Sequence, residues 1–96
     1  MNLTDSPHAR FEATEGVLFQ EMEEDVVLLN IETQQYFGLD YVGARVWNML
    51  LDKSDLDTVA RRIGADFGVE IETVRADVRN LVTELVESGL LVPVAG

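Results

Sequence analysis

The chain has no cysteine, one histidine and two prolines, and only 7 of its 96 residues are Lys or Arg against 18 Asp or Glu. Without cysteine, disulfide stapling and thiolate chemistry are excluded, and a cytoplasmic location is the default expectation. His8 lies in a polar opening stretch with no carboxylate or cysteine arranged around it in sequence, so neither a metal site nor a histidine-based nucleophile is expected. The formal net charge of -11 argues against a nucleic-acid partner, because that affinity rests on Lys and Arg neutralising phosphates. No apolar run approaches the roughly 18 residues of a membrane span. Met1 to Glu12 lacks the apolar core and small-residue cleavage site of a signal peptide. The glycines are scattered and form no loop that cradles a phosphate. Acidic pairs such as Glu23-Glu24, and Glu70 with Glu72, fall on turns and helix starts, where solvation and the helix dipole account for them. The expectation is a protein with no catalytic activity and no cofactor, kept soluble by its acidity.

Apolar residues make up 47% of the chain and charged residues 26%, a globular balance, and at this length one module with a single core is expected. Met1 to Thr14 mixes Asp, Ser, Pro, His and Arg without periodicity and reads as a flexible polar arm; residues 15–96 form the domain. Val17 to Met22, Val26 to Asn30 or Ile31, and Gln35 to Leu39 are rich in strand formers. They are separated by the turns Glu23-Glu24-Asp25 and Glu32-Thr33-Gln34, so a three-stranded antiparallel meander is predicted. Its third strand places Tyr36 and Gly38 on one face, Phe37 and Leu39 on the other.

Asp40 stands at an N-cap position before Val42, Val46, Trp47, Leu50 and Leu51, which recur at helical spacing. Trp47 belongs on the buried stripe of that helix. Ser54 is placed to cap a second helix whose apolar face is Leu56, Val59, Ala60, Ile63 and Phe67, with Gly68 ending it. A third helix runs from Glu70 or Ile71 to Ser88 on the stripe Ile71, Val74, Val78, Leu81 and Leu85, and Gly89 stops it. Leu90 to Val94 reads as extended, with Pro93 at an edge. Three strands followed by three helices, the last two as a helix-turn-helix, describe a winged helix-turn-helix-like α+β domain.

At 100° per residue, Val82 and Val86 flank the stripe of the third helix, with Arg75 and Arg79 beyond them. Two of seven basic residues on one shoulder predict a groove with an apolar floor and a basic rim, or simply arginines that pair with neighbours such as Glu72.

The succession Val27-Leu28-Leu29-Asn30-Ile31-Glu32-Thr33-Gln34-Gln35-Tyr36-Phe37-Gly38-Leu39-Asp40, then Val42-Gly43-Ala44-Arg45-Val46-Trp47, Asp77-Val78 and Gly89-Leu90-Leu91, resembles the PqqD-like peptide-recognition domains of ribosomal peptide biosynthesis. The resemblance spans roughly residues 17–92. It implies a protein that binds the leader segment of a precursor peptide and presents it to a tailoring enzyme. The leader would add as a strand beside the third strand and pack against the third helix, which is β-augmentation. On this basis the expected peptide-binding residues are Gln34, Gln35, Tyr36, Phe37, Gly38, Leu39, Arg75, Val78, Arg79, Val82 and Val86. The resemblance points to the leader-binding partners of lasso-peptide leader peptidases, with the partner of a radical enzyme in pyrroloquinoline quinone formation as the alternative. A winged-helix DNA-binding regulator is the competing reading; only Arg75 and Arg79 of the third helix would favour phosphates, against Asp77, Glu84 and Glu87. A free strand edge also serves self-pairing, so the expected state is a monomer or a weak dimer.

Overall fold

The computed structural model describes residues 8–23 and 25–94. In chain order its elements are β1 (Phe11–Ala13), β2 (Val17–Met22), β3 (Asp25–Asn30), β4 (Gln35–Leu39), α1 (Tyr41–Leu51), α2 (Leu56–Phe67), α3 (Ile71–Glu87) and β5 (Leu91–Pro93). The expected meander is present as an antiparallel sheet in the order β2-β3-β4, followed by the three helices. Its register places Leu18, Leu29 and Tyr36 in one row across the sheet and Phe19, Leu28 and Phe37 in the next. The alternation of β3 turns Val26, Leu28 and Asn30 into the core, and the helices pack over that face.

Asp40 caps α1 as predicted, its Oδ1 accepting from the Gly43 N–H at 2.8 Å. The buried side of α1 carries Ala44, Val46, Trp47 and Leu50; Trp47 is fully buried, with Phe19 standing edge-on to it at 6.3 Å between centroids. Gly68 ends α2 in the left-handed conformation. The core of α3 is Val74, Val78, Val82 and Leu85.

Two local expectations are corrected. The cap of α2 is Asp55 rather than Ser54: its backbone is extended and its Oδ1 accepts from the Thr58 N–H at 2.8 Å. The polar arm also ends sooner than Thr14, because Phe11–Ala13 pairs antiparallel with Leu91–Pro93 and Phe11 is buried. One apolar side chain and three residues of strand leave little local pattern, and the pairing depends on a segment at the far end of the chain. The first seven residues of the expected arm lie outside the described residues. His8, expected to stand apart from carboxylates, lies with Nδ1 3.7 Å from Asp55 Oδ2.

Asn30 is the one buried polar side chain among the described residues. Its Oδ1 accepts from the N–H groups of Glu32 and Thr33 at 3.0 and 3.2 Å, closing the β3–β4 turn. Its Nδ2 donates to the Gly89 carbonyl at 2.9 Å, tying that turn to the end of α3. Gly89 has φ 74°, a conformation that favours glycine, and a Cβ there would press on Asn30 Nδ2 at 3.3 Å.

Asn30→Ala strands the Gly89 acceptor and two turn donors. The expected loss is about 1–3 kcal/mol, read from the midpoint of urea denaturation. Asp55 titrates below the ordinary carboxylate range because hydrogen bonds from the Thr58 side chain and backbone favour its ionised form, with His8 and Arg10 acting in the same direction against partial desolvation. A folded-state value below the unfolded one stabilises the protein above the unfolded value, and the contribution is lost as pH falls through the folded one. Asp55→Ala is therefore expected to cost about 1 kcal/mol at neutral pH. In paired urea titrations at pH 7 and pH 3, the gap between the two proteins should narrow on acidification.

Candidate functional site

β4 is an edge strand, and its backbone pairing follows from the hairpin geometry. The Ile31 N–H donates to the Gly16 carbonyl across the β2 side, so the odd residues of β3 face β2 and the even ones face β4, as alternation along an antiparallel strand requires. Val26 and Leu28 are thus placed to exchange hydrogen bonds with their register partners Leu39 and Phe37, while at the turn the Asn30 carbonyl accepts from the Gln34 N–H at 2.8 Å and the Gln35 N–H donates to Thr33 Oγ1 at 3.3 Å. The main-chain groups of Tyr36 and Gly38 then point away from the sheet, along an edge to which no described strand pairs.

That edge runs beside α3. A groove of about 640 Å³ separates them, lined on one side by Phe37, Gly38 and Leu39 and on the other by Val74, Asp77, Val78, Leu81 and Glu84. Val42 and Val46 of α1 and Ile63 and Phe67 of α2 complete an apolar lining. Phe67 is braced from outside: Tyr41 meets it edge-on at 6.0 Å, and the Arg45 guanidinium, paired with Asp66, lies 5.8 Å from its centroid. A second, shallower concavity of about 410 Å³ continues along the strand between Gln34, Gln35 and Tyr36 and the residues Ser88 and Leu90. The first half of β4 thus lies near the end of α3 and the second half near its middle, so strand and helix run in opposite directions.

All six residues expected on the strand side, Gln34 to Leu39, line one or other of these concavities, and Val78 lines the first. The remaining four lie elsewhere. Val82 is fully buried in the core and Val86 packs partly against it. Arg75 bridges Asp57 of α2 at 3.0 Å and Glu72 at 3.1 Å, the neighbour pairing that was the alternative to a basic rim. Arg79 is exposed and absent from the lining. The groove is rimmed by the acids Asp77 and Glu84 on the opposite shoulder of α3. Sequence reasoning missed these two, together with Leu81 as a groove residue and the helical back wall of Val42, Val46, Ile63 and Phe67. The available signal was the 100° projection itself, which puts Asp77, Leu81 and Glu84 on one shoulder as clearly as it puts the arginines on the other.

The family model described as coenzyme PQQ synthesis protein D (PqqD) matches residues 25–91, more than half of the chain and all of the strand-and-helix unit that builds the groove. The chain belongs to the PqqD family. Two solved structures are similar over nearly the whole molecule. TbiB1 in complex with the TbiA(beta) leader peptide is 32% identical, with 88% of this chain and 99% of that one covered at a TM-score of 0.81. A lasso peptide synthetase B1 complexed with the leader peptide is 27% identical, with 88% and 100% covered at a TM-score of 0.82. No curated protein matches the chain. Among the described residues no group of three or more His, Asp or Glu is placed to hold a metal ion, and no helix is long and apolar enough to cross a membrane.

Proposed function

We propose that this PqqD-family protein captures the leader segment of a ribosomally made precursor peptide as an added strand on β4 and presents it to a separate tailoring enzyme. The observation that carries this reading is the unpaired edge at Tyr36 and Gly38 bordering an apolar groove against α3. Main-chain hydrogen bonds to that edge supply affinity with little demand on sequence, and alternate side chains of an added strand dip into the groove and supply selectivity. Both similar structures hold leader peptides, and they favour a lasso-peptide setting, in which the enzyme served is a leader peptidase. The alternative of a radical enzyme in pyrroloquinoline quinone formation is decided by the neighbouring reading frames: a short precursor beside a transglutaminase-like protease, or a radical enzyme with a cysteine cluster. The protein acts without chemistry of its own, in the cytoplasm. Its sequence lacks cysteine, and its single histidine lies beside the start of α2 rather than among the groove residues.

Tyr36→Pro removes an outward donor while leaving the β3–β4 ladder in place, a change an edge strand tolerates. Isothermal titration with the leader of the precursor encoded beside it should show affinity at least about tenfold weaker, since a lost hydrogen bond and a displaced backbone act together. Helical circular dichroism should be unchanged. A folded Tyr36→Pro protein that binds normally would contradict strand addition.

The two shoulders of α3 make a second comparison. Leu81→Ser takes an apolar contact from the groove and should weaken the leader by about 1.5–3 kcal/mol where that side chain is fully covered, with a smaller fall in melting temperature than Val82→Ser, because Leu81 packs only partly against the core. Val82→Ser places a hydroxyl in the core, so its effect should appear in thermal stability first. The reverse pattern would place the peptide on the arginine shoulder.

A further inference from the structure

The groove carries a charge pattern that strand addition alone does not use. Its lining includes the carboxylates of Asp40, Asp77 and Glu84 and no Lys, Arg or His. One Asp40 oxygen is occupied by the cap of α1, whereas Asp77 and Glu84 are exposed on the helix wall and have no ion-pair partner among the described residues. The basic residues next to the site are already paired, Arg45 with Asp66 and Arg75 with Asp57 and Glu72. Asp77 and Glu84 stand two helical turns apart, about 10 Å along the axis, with Leu81 between them. An extended peptide advances about 6.7 Å between successive side chains on one face. A residue seated over Leu81 therefore has same-face neighbours within reach of a long cationic side chain to either carboxylate.

We propose that the groove selects peptides bearing Lys or Arg beside the apolar side chain that seats over Leu81, with Asp77 and Glu84 as the residues that set this preference. The proposal rests on the strand-addition reading and adds to it the charge of the ligand. A lysine stem covers apolar surface while its ammonium reaches the rim, so one residue type satisfies both parts of the wall. An acidic peptide would meet two uncompensated carboxylates at the rim and the field of a chain of net charge -11.

A display library of random dodecapeptides, selected on the full chain at low salt, tests this without knowledge of the natural ligand. Tyr36→Pro serves as the background, and two double variants are selected in parallel: Asp77→Asn with Glu84→Gln, and Glu12→Gln with Glu15→Gln. The second pair removes the same charge from exposed positions outside the groove. The expected result is enrichment of Lys and Arg flanking an apolar residue on the wild-type and Glu12/Glu15 proteins, and loss of that bias on the Asp77/Glu84 protein. A selected peptide should bind the Asp77/Glu84 variant about three- to tenfold more weakly, as two exposed ion pairs allow, and the difference should close in about 1 M salt, where the screening length is about 3 Å. Binders above background with no cationic bias, or a bias that survives on the Asp77/Glu84 protein, would overturn the charge preference while leaving strand addition standing. A selection that never rises above the Tyr36→Pro background would remove both.

Discussion

The Asn30 side chain holds the two walls of the groove in relation to each other. β4 reaches its place beside α3 by way of the β3–β4 turn, and that turn is joined to the end of α3 by the hydrogen bond from Asn30 Nδ2 to the Gly89 carbonyl. The same amide closes the turn through its oxygen, so the direction in which β4 leaves and the position of the helix end depend on one buried residue. Buried amides are costly unless satisfied. Here three partners satisfy the group, and Gly89 lies close against it: it sits at a left-handed φ, and a Cβ there would approach Asn30 Nδ2 to 3.3 Å.

From that anchor strand and helix run in opposite directions without closing on each other. The interval is lined with apolar side chains from four elements, and the strand side offers unpaired main-chain groups at Tyr36 and Gly38. An edge of this kind is a hazard in a protein with nothing to bind, since it templates pairing with any extended chain. Here no Pro interrupts β4, which carries no charged side chain between Gln35 and Leu39, so the edge is left open where a binding protein by strand addition would need it. A net charge of -11 makes the long-range approach of two copies repulsive, and on the proposed reading the groove adds a chemical filter to backbone recognition.

Much of this was legible in the sequence because it is local. The meander follows from strand formers between polar turns, α1 from the Asp40 cap, the end of α2 from Gly68 and the end of α3 from Gly89. The strand wall of the groove was legible for the same reason: alternation fixes which side of β4 Phe37 and Leu39 take. The helical wall was not. Periodicity identifies the buried stripe of α3 but leaves both shoulders equivalent until the position of β4 is known. Val82 and Val86 looked like surplus apolar surface, yet Val82 is core and Arg75 belongs to the seam between α2 and α3. The pairing of Phe11–Ala13 with Leu91–Pro93 was hidden for a related reason, since each three-residue strand is too short to show alternation and its partner is remote in sequence.

Addition of a peptide to the outer edge of β4 changes the environment of individual main-chain amides, which NMR hydrogen exchange reads residue by residue. With a saturating leader peptide, exchange should slow at the Tyr36 and Gly38 amides, which face outward in the free protein. Phe19 and Glu21, on the opposite outer edge of the sheet, should be unchanged. Saturation that leaves Tyr36 and Gly38 exchanging as before, or that protects Phe19 and Glu21 instead, would contradict addition at β4.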